Sequence, residues 1–420
     1  MIGTNYENQG VNLNNESESV NLRAYRAHWL LPLSAPPIEN GVIVIDDQQI
    51  RAIGAYEDLA DSIPEPLTDL GEAVIFPAFV NVHTHLEQDT LQEPVRRFFD
   101  YLSQSSIRLQ NQSDEQRAET VRSNIQESRR FGTIALGDFS KDGLSAQILQ
   151  EEFLFARVFH EVRGFKQYES EAIFKSVRDQ LGQVAPMKRI TSHLGMSSLW
   201  ELSADLLREI SIFERHVAIH MAMTEAETEF LVNGAGPVRQ YLLAGGDYDY
   251  TWKPPRMTSV QYFFNNHFAA RHNILIHMNQ LTGNDIDLIK ETSAKVNVCI
   301  CPRTASNLEW HPTPVKQILE RGVNICMGTE SKALVRDLDM RKEIVECINQ
   351  TGVNIDTALK FATLNGAYAI GFHKEVGSLD TGKTARCLVL PIENINQNDP
   401  YAALLDLSRE VRWLDEINPV

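Results

Sequence analysis

The stretch AVIFPAFVNVHTHLEQ contains an apolar strand that runs straight into His83 and His85. Residues i and i+2 of a strand point to one face, so both imidazoles can reach a single metal ion. Three further apolar runs also end in a donor: HVAIH closes at His220, ILIH at His277 and VNICMGTE at Glu330. Four histidines and a carboxylate match the nitrogen and oxygen donors of a zinc-like or iron-like site. Each has a plainer reading when taken singly, as a hydrogen-bonded core histidine or, for Glu330, a charge at a helix start. The recurrence of a donor at four strand ends favours a shared site.

Those donors need elements that bring them together. From about 73 to 370, apolar β-rich runs alternate with longer helical patterns. SDEQRAETVRSNIQESRRFG opens with a Ser113-x-x-Gln116 capping box and closes at Gly132, and TIALGDFS then reads as a strand. Leu206, Leu207, Ile210 and Phe213 mark one helical face, and VKQILERG places a helix between VNVCICP and VNICMGTE. Such alternation over this length implies a parallel sheet covered by helices. Closed as a barrel, the sheet gathers its C-terminal strand ends on one face. The flanks differ, with short strands and tight turns in NGVIVIDDQQIRAIGA and strand character again in VGSLDTGKTARCLVLP. The predicted organisation is a polar tail over 1–20, a composite small β domain from 21–75 plus 374–420, and an α/β unit over 76–373.

Composition narrows the partners. The 420 residues include 39 Lys+Arg and 56 Asp+Glu, a net charge of -17, so the average surface repels phosphate. Nucleic acid and anionic membrane are therefore excluded as principal partners, and a small-molecule substrate is expected. The polar start lacks the basic and apolar segments of a secretion signal, and no apolar run spans a bilayer, which predicts a soluble cytoplasmic protein. Five cysteines cannot all pair, and the C-x-C at Cys299 and Cys301 lacks structural-zinc spacing, so reduced core thiols are expected. A homodimer is left open.

In order along about 70–390, the segments FPAFVNVHTHLE, SHLGMSSLWELSADLL, VAIHMAMTEAE, ILIHMNQLTGNDIDLI, CPRTASNL, MGTES, FATLNGAYAIGF and VGSLDTGKTA resemble the amidohydrolase superfamily, in its cytosine/guanine deaminase- and chlorohydrolase-like branch. The resemblance implies an α/β fold, a distorted (β/α)8 TIM barrel with a small composite β-sandwich domain formed by both chain ends. It also implies one divalent metal ion, zinc first and iron as the alternative. On that reading His83, His85, His220 and Glu330 are ligands, Glu330 also shuttles a proton, and His277 orients water or an oxyanion. His193 contacts substrate. The expected chemistry is attack of metal-activated water on a C–N bond of a small cyclic or nucleoside-like substrate.

Several residues depart from the family pattern. Glu330 stands where the family usually has Asp, which adds a methylene to the carboxylate arm. The deaminating members carry a Glu three residues after the third ligand; here the residue is Met223, whose thioether cannot transfer a proton. Glu225 or Glu87 are the substitutes within reach in sequence, and Glu87 otherwise contacts substrate or supports the site. Arg303 is a candidate to hold a substrate carboxylate, with an internal salt bridge as the plainer reading. Trp200 and Trp252 are candidate cavity walls, and the long stretch between His220 and His277 is a candidate cap. These departures sustain a second reading, a catalytically impaired relative that binds small molecules or serves in an assembly.

Overall fold

The computed structural model describes residues 22–91, 93–185, 187–392 and 399–417. The tail predicted over 1–20 lies outside them. Two sheets organise the described chain.

The first comes from both ends of the sequence. Strands β1 (Arg23–Leu30), β2 (Ile38–Ile45), β3 (Ile50–Ala55), β4 (Leu67–Asp69) and β5 (Ala73–Pro77) form before the second sheet begins. Their order, with the late strands β14 (Cys387–Pro391) and β15 (Arg412–Trp413), is β15-β14-β5-β1-β2-β3, with β4 beside β1. Alternation decides its faces: Tyr25, Ile43, Ile45, Ile75 and Val389 pack together on one side, and Ala24, Val42 and Val44 on the other. The antiparallel pairing of β14 with β5 ties the returning chain to the strand that leads into the second sheet.

That second sheet is an eight-stranded parallel barrel. Its strands are β6 (Phe79–Thr84), β7 (Thr133–Ser140), β8 (Phe155–Val162), β9 (Ile190–Ser198), β10 (His216–Met221), β11 (His272–His277), β12 (Lys295–Ile300) and β13 (Asn324–Met327), in sequence order around the sheet. Buried on both faces, they read as nearly continuous apolar runs. Amphipathic helices cover the outside. The helix Asp114–Arg130 begins at the predicted Ser113/Gln116 capping box, and Val315–Glu320 forms between β12 and β13 as the pattern requires. The helix Ala204–Phe213 buries Leu206, Leu207 and Ile210, whereas Phe213 stays 45% exposed at its end, narrowing the predicted face.

The barrel closes where β13 meets β6. The backbone N–H groups of Thr329 and Glu330 donate to the carbonyl of His83 at 3.1 and 3.0 Å, and the Asn81 side chain holds Thr329 through two further bonds of 2.8 and 3.0 Å. Gly328 makes this approach feasible, because a Cβ there would stand 2.7 Å from the Cβ and backbone nitrogen of His83. All five cysteines are free and buried, as expected. Among the described residues, no helix is long and apolar enough to cross a membrane.

Candidate active site

Closure brings the strand-end donors together. His83 leaves β6, His220 lies in β10, His277 ends β11, and Glu330 follows β13 with a left-handed backbone (φ 64°). His277 is also left-handed, at φ 77°. Two non-glycine residues in this region within one cluster represent local strain held by the surrounding fold, a common property of functional sites.

The Glu330 carboxylate is the hub. Its Oε2 lies 2.6 Å from His83 Nε2, 3.5 Å from His277 Nε2 and 3.9 Å from His220 Nε2; its Oε1 lies 3.3 Å from His85 Nε2 and accepts from the Tyr101 hydroxyl at 3.3 Å. One donor atom from each of His83, His220, His277 and Glu330 falls within 4.8 Å of all the others. Sequence reasoning put His85 in the ligand set and His277 beside it; the compact group contains His277, and His85 flanks it on the second carboxylate oxygen.

The donor set fits a divalent ion. The Nδ1 of His220 is 2.6 Å from the carbonyl of Ser197, so its N–H donates there and Nε2 is left with a free lone pair. That Nε2 is 3.1 Å from His83 Nε2, close to the separation of about 3.3 Å between ligands on one tetrahedral zinc. Phe139 lines the floor against His83 and His220, with ring centroids 5.3 and 4.8 Å away, and keeps water from beneath the imidazoles.

Burial and neighbours set the charges. Burial lowers the basicity of His85, and it holds His220 down to about 4, so both are neutral at physiological pH. Burial opposes ionisation of Glu330, but electrostatic attraction to the surrounding imidazoles and hydrogen bonding with His277 and His83 outweigh it and keep the carboxyl well below its usual range. Burial also disfavours protonated His277, yet contacts with the Cys301 thiol and Glu330 prevail and raise it to about 9.

These groups open into a cavity of about 370 Å³, within the range of small-molecule sites. Its apolar wall includes Phe98, Leu102, Trp200, Met223 and Trp310. Trp310 stands edge-on to His277 at 5.3 Å. The polar side carries Glu161 from the end of β8 and Arg163 just beyond it, with Ser198 ending β9 and Glu201 following it. Arg163 donates to Glu161 at 2.9 Å and to Glu201 at 2.6 Å.

Three predicted substrate contacts lie apart from the cavity lining. His193 is on the same face of β9 as Ser197 but four residues earlier, about 13 Å deeper along the strand, and it bonds Glu214 at 2.9 Å below the cavity. Arg303 is held by Asp337 at 2.9 Å and by the carbonyl of Val335, and it faces a separate cleft, the plainer of its two readings. Glu87 is buried against Arg117 at 3.0 Å and against Ser140, and burial raises its pKa. It does not line the cavity.

The proposed substitutes and cap also fall elsewhere. Glu225 is exposed at the start of a helix. Glu227 accepts from the backbone N–H groups of Ala222 and Met223, both at 2.9 Å, and so fixes the turn that turns Met223 inward. The segment between β10 and β11 contributes Met223 but nothing from 224–271 to the cavity. Trp252 stacks on Phe230 at 4.4 Å instead, while Trp200 is a wall as expected. The roof is the helix Phe98–Asn111. Sequence reasoning missed Glu161, Arg163 and Tyr101; Glu161 had a detectable signal, since it stands next to last in the strand FARVFHEV, near a strand end like the other donors.

A parallel barrel with an imidazole-rich divalent-metal centre at its C-terminal mouth defines the class of protein. The Amidohydrolase family profile matches residues 74–407, and the chain belongs to that family. The 5-methylthioadenosine/S-adenosylhomocysteine deaminase of Moorella thermoacetica is 26% identical, over 89% of this chain and 88% of the relative. The aminodeoxyfutalosine deaminase of Deinococcus radiodurans is 24% identical, over 72% and 75%. Among solved structures, the aminofutalosine deaminase of Helicobacter pylori with methylthio-coformycin superposes with a TM-score of 0.79 at 17% identity, covering 93% of this chain and 98% of that one. An adenosine deaminase of Xanthomonas campestris with bound zinc gives 0.74 at 19% identity, over 91% and 87%.

Proposed function

We propose that this protein is a metal-dependent hydrolase that cleaves the exocyclic C–N bond of a small, nucleoside-like amino-heterocycle and releases ammonia, with zinc as its resident ion. One observation carries the reading: the Glu330 carboxylate sits among four imidazoles and faces a cavity of substrate size. Deaminases of nucleoside-like substrates among the relatives, and the zinc in one structural neighbour, support the substrate class and the metal.

His83, His85, His220 and Glu330 would hold the ion, His220 by the lone pair its Nδ1 bond leaves free. When bound, a divalent ion supplies Lewis acidity that makes water nucleophilic near neutral pH. Glu330, ionised and central, accepts the proton that the nucleophile gives up. His277, which retains a proton to about 9, donates a hydrogen bond to the oxygen on which negative charge develops. Trp200, Trp310 and Phe98 enclose the ring and exclude bulk water.

Met223 favours the second reading, an impaired relative that binds but does not turn over, because the cavity wall there carries no acid. The two readings separate by experiment. Near-stoichiometric zinc together with ammonia release from amino-purine or amino-pyrimidine nucleosides supports the hydrolase. Folded protein without metal, or zinc-loaded protein inert across the panel, favours the binder.

A further inference from the structure

The reaction proposed above needs something at the substrate's ring nitrogen. Replacing the amine by oxygen converts C(–NH2)=N plus water into C(=O)–NH plus ammonia. One water proton ends on the ring nitrogen and the other on the departing amine. A ring nitrogen that carries a proton during attack makes the adjacent carbon electrophilic, and a fixed acceptor for that N–H stabilises the state. The uncharged thioether of Met223 is only a weak acceptor.

Glu161 offers a charged one. Arg163 Nη2 holds its Oε1 at 2.9 Å, and Oε2 has no protein partner among the described residues. The side chain retains 16% exposure, within the cavity that His85, His220 and Met223 also line. It stands at the C-terminal end of β8, on the barrel mouth where the metal-site histidines also lie. The other acids have commitments: Glu201 is bound by Arg163 and Ser198, and Glu330 by the histidines. The Arg163 guanidinium also favours the ionised form of Glu161, which suits an acceptor and not a proton donor.

We propose that Glu161, oriented by Arg163, is the carboxylate that accepts the ring N–H of the substrate, a role that moves to the end of β8 because position 223 carries methionine. The inference rests on the deaminase reading, and it specifies the substrate: a heterocycle with a ring nitrogen next to the carbon that loses the amine.

Two probes without an amine to lose test it apart from turnover, inosine, whose ring nitrogen carries the N–H, and 1-deazainosine, which has a C–H in its place. Calorimetric titration of the zinc-loaded full chain is expected to show a preference of at least about tenfold for inosine, the worth of one hydrogen bond to a charged group. Glu161→Gln should reduce it to within roughly twofold at unchanged zinc content, and Met223→Glu in that background should restore it. Glu161→Asp, with its charge kept but displaced, should also lose the preference, and serves if the first variant fails to fold. A preference that survives both Glu161 variants, equal binding by the unaltered protein, or no binding of either probe would overturn the assignment. Ammonia release is scored separately, so an inert protein that shows the Glu161-dependent preference refutes the hydrolase and leaves the contact standing.

Discussion

Glu330 and His83 are joined twice: the backbone N–H of Glu330 donates to the His83 carbonyl at 3.0 Å, and their side chains meet at 2.6 Å. The first contact closes the barrel and the second builds the candidate metal site. Damage at this junction should therefore register in stability and in chemistry together.

Glu330→Asp tests whether the site is built around the longer arm. The change withdraws the carboxylate by about 1.5 Å, against a catalytic tolerance of about 0.5 Å. Ammonia release should fall roughly 10- to 100-fold, with zinc partly retained. Activity that rises instead would show that the extra methylene impairs the native site.

His85 and His277 should separate in their effects. His85→Ala should lose zinc, whereas His277→Ala should keep most of it and lose about 10²- to 10³-fold in kcat. Metal content by mass spectrometry, set beside steady-state rates, checks both. Reversed outcomes would put His277 in the coordination shell and His85 outside it.

The metal-free protein should weaken in acid. His220 is depressed to about 4 by burial, so the unfolded chain binds its proton first, starting near the ordinary value of 6.5. Stability from this group is present above 6.5 and is lost as pH falls toward 4. Urea midpoints measured after chelation at steps from pH 7.5 to 4 should decline across that window. His220→Asn should flatten the decline.

Asp138 should act with the opposite sign. Burial raises it to about 7 despite bonds from the Leu86 N–H at 2.8 Å and the Thr84 hydroxyl at 3.0 Å. The folded state therefore holds a proton that the unfolded state releases, and the contribution of Asp138 to stability falls as pH rises from 3.8 to about 7. The stability of Asp138→Asn relative to the unaltered protein should improve over that interval and then level off. A pH-independent difference would contradict the shift.

Gly328→Ala tests the closure directly. Its Cβ would meet the His83 backbone and Cβ at 2.7 Å, too close for a flexible side chain to yield. A loss of about 1–3 kcal/mol is expected in denaturant melts, with weakened zinc binding. A surface effect would leave zinc untouched.

Much of the barrel and four of its donors were legible because short apolar runs and strand-end donors are local signals. The Ser113/Gln116 box was legible for the same reason. Depth was not: His193 shares the face of Ser197 but lies lower, and a sequence reports the face of a strand more readily than its height in the barrel. Partner choice was hidden too, since whether Arg303 meets Asp337 or a ligand depends on a loop 34 residues away. Tyr101 comes from a helix whose place over the cavity is decided only by packing.

The junction of residues 83 and 330 also bears on how the chain is made. Its donors come from β6, β10, β11 and β13, and the final one emerges from the ribosome 247 residues after the first. A partly synthesised chain holds His83 and His85 but lacks the carboxylate that centres them, so tight metal capture must await the last barrel strand. Metal uptake should then report completion of the barrel, and a premature end before Glu330 should leave a product that cannot hold the ion.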